Sequence, residues 1–167
     1  MAVIRNEKYI ISRVVVLFAP MMEFNDEYFM GRALVLAQQA FDEDEVPIGA
    51  IVVHQNKIIG KGYNQTEKLM DVTAHAEMLA ITSASQYLGS KFLDECTLYV
   101  TIEPCVMCAG AIKWARFGRL VFGSSEPKSG YEVYCSPKTL NQTEIVRGIL
   151  EQDCRAIMKE FFSKKRK

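Results

Sequence analysis

The chain has 167 residues, about half of them hydrophobic and a quarter charged, which is the composition of an ordinary folded domain with a substantial core. Its formal net charge is zero, so no overall field draws it to nucleic acid or to a membrane surface. Five cysteines, an odd number, do not make a disulfide framework; reduced thiols in the cytoplasm fit them better.

Residues Ile10 to Pro20 form a short apolar run split by Arg13, too short to span a bilayer. We expect residues 1–21 to be a leader placed ahead of the natural start at Met21 or Met22, and a single domain over residues 22–167. Asn25 or Asp26 caps a helix running to Asp42, with Phe29, Ala33, Leu34, Ala37 and Phe41 as its buried stripe. The acidic run Asp42 to Glu45 reads as solvated surface.

Ile48 to His54 and Ile58 to Tyr63 are rich in β-branched residues and flank Gln55-Asn56-Lys57, so they read as a hairpin. A loop leads to His75, which opens a helix that stops at Gly89. Thr97 to Ile102 is a third strand, and it delivers the chain to Pro104. Proline is favoured at the first helical position, so a helix is expected from there to Arg116. A fourth strand, Arg119 to Gly123, precedes a long loop, Ser124 to Gln142. A short edge strand at Thr143 to Val146 and a helix from Leu150 to Lys165 complete the chain. This alternation implies a three-layer α/β/α architecture around a central mixed sheet of about five strands, largely parallel after the opening hairpin.

The chemistry concentrates at two of these helix starts. Cys105 and Cys108 lie three apart, and residues i and i+3 share a helix face. The positive end of the helix dipole favours the thiolate, which is the form that binds zinc. His75, with Glu77 two residues on, supplies a third ligand and a carboxylate. Three protein ligands leave the fourth tetrahedral position open, the pattern of a catalytic rather than a structural zinc. His75, Cys105 and Cys108 are therefore the expected ligands of one Zn2+ per subunit, and Glu77 the proton carrier. A redox pair or a closed structural site is the competing reading of Cys-x-x-Cys, but no second such pair is present. His54, a strand residue, is left outside the chemistry.

His-x-Glu followed by Pro-Cys-x-x-Cys is the signature of the zinc deaminases, and the chain resembles the cytidine-deaminase superfamily. Within it, the resemblance is greatest to the bacterial tRNA-specific adenosine deaminases. It is carried by Val46-Pro47-Ile48-Gly49-Ala50, Gly62-Tyr63-Asn64, Asp71 to Glu77, Leu98 to Ala111, Phe117 to Gly123 and the closing Phe161-Phe162 with its basic tail. One departure lies in the long loop, where Tyr131 to Cys135 replaces the family's run of small residues after Lys128-Ser129-Gly130.

The resemblance implies deamination of adenosine to inosine at the anticodon wobble position of tRNA, a homodimer, and no membrane. It also implies substrate contacts at Asn64, Ala76 and Pro104; Pro47 and Ile48 serve either as an apolar wall against the base or as core. Phe161 and Phe162 would contact the RNA, and the basic tail behind them, Lys164, Lys165, Arg166 and Lys167, would meet phosphates of the anticodon stem-loop. Met107, Ile112 and Trp114 on the Cys helix serve either the dimer or the core. A deaminase of free guanine, cytosine or adenosine is the alternative, and a non-catalytic zinc-stabilised RNA-binding module a more distant one, which Glu77 argues against.

Overall fold

The computed structural model describes residues 24–166. The expected leader and Lys167 lie outside the described residues. The element order is α1 (Asp26–Asp42), β1 (Gly49–His54), β2 (Lys57–Tyr63), α2 (Ala76–Leu88), β3 (Thr97–Ile102), α3 (Val106–Ala115), β4 (Arg119–Ser124), α4 (Tyr131–Tyr134), β5 (Glu144–Arg147) and α5 (Glu151–Lys165). The five strands form one sheet in the order β2-β1-β3-β4-β5.

Local chemistry explains most boundaries. The Asn25 side chain accepts the Tyr28 N–H at 2.9 Å and caps α1, while Gly89, at φ +62°, ends α2 in the left-handed region that glycine adopts freely. The three central strands β1, β3 and β4 are buried on both faces, and their alternate residues divide between two cores. Ala50, Val52, Leu98, Val100, Leu120 and Phe122 face α2 and α3. Ile51, Val53, Tyr99 and Val121 face α1 and α5, where they meet Phe29, Met30 and Cys154. The three layers are as expected.

After the opening hairpin the strands run parallel, as expected. β1 is antiparallel to both β2 and β3, and only β3, β4 and β5 run parallel. That arrangement has a consequence for the site. With β1 antiparallel to both neighbours, β2 runs in the same direction as β3 and β4, so the chain segments that follow these three strands all leave from one end of the sheet. This is where open α/β sheets gather functional groups.

Two glycines bring α2 down onto that end. A Cβ at Gly60 or Gly62 would overlap the carbonyls of Ala80 and Ala76 respectively. The helix answers with Ala76, Ala80 and Ala84, one small side chain per turn and all buried. The Ser124 to Gln142 segment, read as loop from sequence, contains the one-turn α4.

The acidic run is not uniformly solvated. Glu45 is 1% exposed, with its carboxylate accepting from the Lys68 N–H and the Thr66 hydroxyl. Its role depends on a segment more than twenty residues away, which composition does not report.

Candidate active site

His75 and Cys105 are the N-cap residues of α2 and α3, both in extended backbone conformation. The Cys helix thus starts two residues later than Pro104 suggests. The Pro104 carbonyl accepts the Tyr131 N–H at 2.8 Å instead of opening the helix. Cys105 and Cys108 keep the N-cap to N3 spacing, so the two sulfurs still share one side of the first turn. Neither N-cap side chain bonds its own helix end, and both are free to serve a ligand.

The three donors converge. His75 Nδ1 lies 3.6 Å from Cys105 Sγ and 3.6 Å from Cys108 Sγ. All three ligand atoms lie within 4.8 Å of one another. Metal–nitrogen and metal–sulfur bonds of about 2.0 and 2.3 Å, at tetrahedral angles, set nitrogen and sulfur about 3.5 Å apart. The donor set fits zinc in both chemistry and span.

Charge within the cluster points the same way. The Cys105 thiol is pulled down to about 4 by hydrogen bonding from Cys108 and, against the opposing effect of burial, from His75. The Cys108 thiol is pushed up, because its neighbour already carries the negative charge and the site is buried. His75 is raised, chiefly by its contact with Cys105. Two adjacent thiolates are unfavourable without a cation between them.

Glu77, in the first turn of α2, is 3% exposed. Burial pushes its carboxyl up to about 6. Its Oε2 is buried with no hydrogen-bond partner among the described residues. A buried carboxylate oxygen left unpaired is costly in a purely structural role.

Of the remaining expected residues, Ala76 directly follows His75, and Pro104 directly precedes Cys105. Asn64, 4% exposed, follows β2 and donates its N–H to the Ile48 carbonyl. Ala76 is fully buried against β2, and Pro104 and Pro47 are buried. His54 lies away from the cluster, with Nε2 3.4 Å from Glu95. Ile112 belongs wholly to the core, whereas Trp114 is 79% exposed.

In the C-terminal helix, Phe161 is buried with its ring against Phe41, and Phe162 is partly exposed. Lys164 pairs with Glu160 at 2.8 Å and Lys165 with Asp44 at 2.6 Å. The Arg166 guanidinium donates to the Phe162 carbonyl.

One supporting residue was not legible in the sequence. Glu103, buried beside Pro104, accepts the backbone N–H of Glu126 at 2.9 Å and of Glu132 at 3.1 Å. Gly130 lies against the same carboxylate and forms a β-bridge with Cys105. Glu103 thereby ties the loop that departs from the family pattern directly to the turn that carries Cys105 and Cys108. Only its position next to Pro104 hinted at such a role.

A sheet flanked by helix pairs, with a His/Cys/Cys cluster at two helix starts and an unpaired buried glutamate beside it, defines a deaminase-type metal site. The MafB19-like deaminase family model matches residues 24–166, and the chain belongs to that family. It is 42% identical over 144 residues to a tRNA-specific adenosine deaminase of Agrobacterium fabrum, covering 83% of this chain and 95% of that protein. A solved structure from a study of A-to-I editing by tRNA:A34 deaminases superimposes with a TM-score of 0.73 at 41% identity. That match covers 78% of this chain and 98% of the other. A guanine deaminase from Nitrosomonas europaea superimposes equally well, with a TM-score of 0.73 at 25% identity, covering 83% of this chain and 85% of the other.

Proposed function

We propose that the protein deaminates adenosine to inosine at the wobble position of a tRNA anticodon, with one Zn2+ held by His75, Cys105 and Cys108. Zinc bound there would supply Lewis-acid activation of water for hydrolysis. The chain's own groups do the rest. Glu77 takes one proton of the attacking water at its unpaired Oε2 and passes it to the ring nitrogen beside the attacked carbon; it then takes the second, from the hydroxyl now on that carbon, and gives it to the amino group, which leaves as ammonia when the carbon–nitrogen bond breaks. Asn64, Ala76 and Pro104 border the nucleoside. The observation that carries this reading is the buried, partnerless Glu77 oxygen beside a donor set of zinc dimensions.

An amine stacked in a helix is out of reach, so the base must be splayed from a loop. A groove of about 720 Å3 receives the flanking strand in this reading. Its wall carries Lys128, Arg155, Lys159, Lys165 and Arg166, and Phe162 lies among them. The loop forming its rim is the one bridged to Cys105, so backbone held in the groove lies next to the site. Phe161, buried, seats the helix that carries this tail, to which Lys164 adds a further charge.

A homodimer is part of the same reading. Met70, Val72, Val106 and Trp114 are apolar and more than half exposed, and a second copy would cover them. Among the described residues no helix is long and apolar enough to cross a membrane. Thiolate ligands suit the reducing cytoplasm.

Mass spectrometry of an anticodon stem-loop with adenosine at the wobble position tests the substrate, run beside free adenosine, cytidine, cytosine and guanine. Inosine in the RNA alone is the expected result. The likeness to a guanine deaminase makes guanine the pertinent competitor, and turnover of guanine without RNA editing overturns the reading.

A further inference from the structure

Glu45 is buried, yet among the described residues no cation pairs with it. Its two oxygens have separate tasks. One accepts the Lys68 backbone N–H at 2.8 Å, and the other accepts the Thr66 hydroxyl at 3.2 Å. The Thr66 oxygen in turn accepts from the Asn64 side-chain Nδ2 at 3.3 Å. The chain of contacts runs Asn64, Thr66, Glu45.

Proton counting gives this chain a direction. An ionised carboxylate only accepts, and a hydroxyl has a single proton to donate. Thr66 directs that proton to Glu45, so it can meet Asn64 only as an acceptor. Asn64 must then turn its amide nitrogen inward. Among the described residues nothing donates to its Oδ1, so that oxygen is the side of the amide left for a partner.

We propose that Glu45 is a positioning residue. Acting through Thr66, it holds the Asn64 amide with its carbonyl oxygen outward, so that the site selects a substrate group that donates a hydrogen bond, a hydroxyl or N–H of the nucleoside. The inference rests on the reading of Asn64 as a substrate contact. A glutamine at position 45 can present N–H2 to Thr66, which would then donate to Asn64 and reverse the amide. A purely structural Glu45, pinning the loop through Lys68 alone, has no such link to Asn64.

The orientation is read first without turnover. In zinc-loaded, 15N-labelled protein, the Asn64 side-chain amide is assigned by its disappearance in Asn64→Ala. Glu45→Gln and Thr66→Val should each shift that resonance pair and speed its exchange with water. A pair unmoved by both overturns the relay. The consequence is then read as a double-mutant cycle on the stem-loop RNA. Asn64→Ala, Glu45→Gln and Thr66→Val should each lower kcat/KM by about tenfold, and the latter two should cost nothing further in the Asn64→Ala background.

Full additivity overturns the relay even with Asn64 a true contact. A neutral Asn64→Ala overturns the contact and the proposal with it. An inactive wild type overturns the substrate reading instead, and the amide spectrum alone then decides the relay. Should Glu45→Gln fail to fold, Thr66→Val carries the same test.

Discussion

His75 and Cys105 hold the same place in their two helices: each is the extended N-cap residue, and their ligand atoms stand 3.6 Å apart. Because neither side chain caps its own helix, removing either should cost metal rather than helix. We expect His75→Ala and Cys105→Ala to drop zinc from about one per chain to well below half, measured by mass spectrometry of the metal. A bound ligand stabilises the folded state by mass action, so a chelator should lower the Tm of the wild type and leave that of both variants unmoved. A variant that keeps its zinc refutes the three-ligand site.

Glu77 lies beside this cluster but is not a member of it. Glu77→Ala should therefore retain zinc at wild-type stoichiometry and lose turnover by about 10²–10⁴, the range of general acid–base catalysis. The measurement is metal content and single-turnover rate on the same preparation. Loss of the metal along with activity would make Glu77 a ligand.

Much of this site is legible in local sequence, and the reason is physical. His75, Glu77, Cys105 and Cys108 work through spacings within single helical turns, and a helix start imposes those spacings by itself. Gly89 and the β-branched runs mark their elements equally locally. Glu45, Thr66 and Glu103 escape notice because their partners lie 21 to 29 residues away, across loops whose path no periodicity encodes. Glu45 reads as surface because three of its neighbours, Asp42, Glu43 and Asp44, are surface. Pro104 misleads by two residues: its own carbonyl is claimed by Tyr131, so the helix waits for Cys105 to cap it.

Gly130 sits where any side chain would strike the Glu103 carboxylate and the Glu126 carbonyl. Gly130→Ala must push the loop off Glu103, at a cost of about 1–3 kcal/mol typical of overpacking. The expected result is faster proteolytic cleavage between residues 125 and 136, with the sheet still cooperatively folded. Unchanged cleavage would mean that the loop gives way without strain and that Glu103 does not clamp it.

Asp26 joins three elements, accepting from both Arg119 guanidinium nitrogens at 2.7 and 2.8 Å and from the Tyr99 hydroxyl at 2.8 Å. The Arg119 bond, followed by Tyr99, holds its carboxyl below the usual range despite partial burial. A folded-state pKa below the unfolded value of about 3.9 means that the stabilisation is complete above that value. It is lost as pH falls through the lower, folded-state value. Asp26→Asn should thus cost about 1 kcal/mol at neutral pH, given the partial exposure of the pair. The gap between variant and wild type in urea midpoint should close as the pH drops below about 4. A gap that widens towards acid would reverse the assignment.

Lys165 pairs with Asp44 across the C-terminal end of α1, and its ammonium also lies over the Phe161 ring. Exposed pairs of this kind are worth about 0–1 kcal/mol, little enough for RNA phosphate to compete with the aspartate. Each phosphate neutralised on single-stranded RNA contributes about 0.7 to the slope of log K against log salt. Removing residues 164–167 should therefore flatten that slope by about 1–2 units in stem-loop binding. Asp44→Asn, which releases Lys165 from its partner, should tighten binding at low salt and steepen the slope. An unaltered slope in both variants would assign the RNA contact to other cations of the groove, of which Lys128, Arg155 and Lys159 are the next to replace.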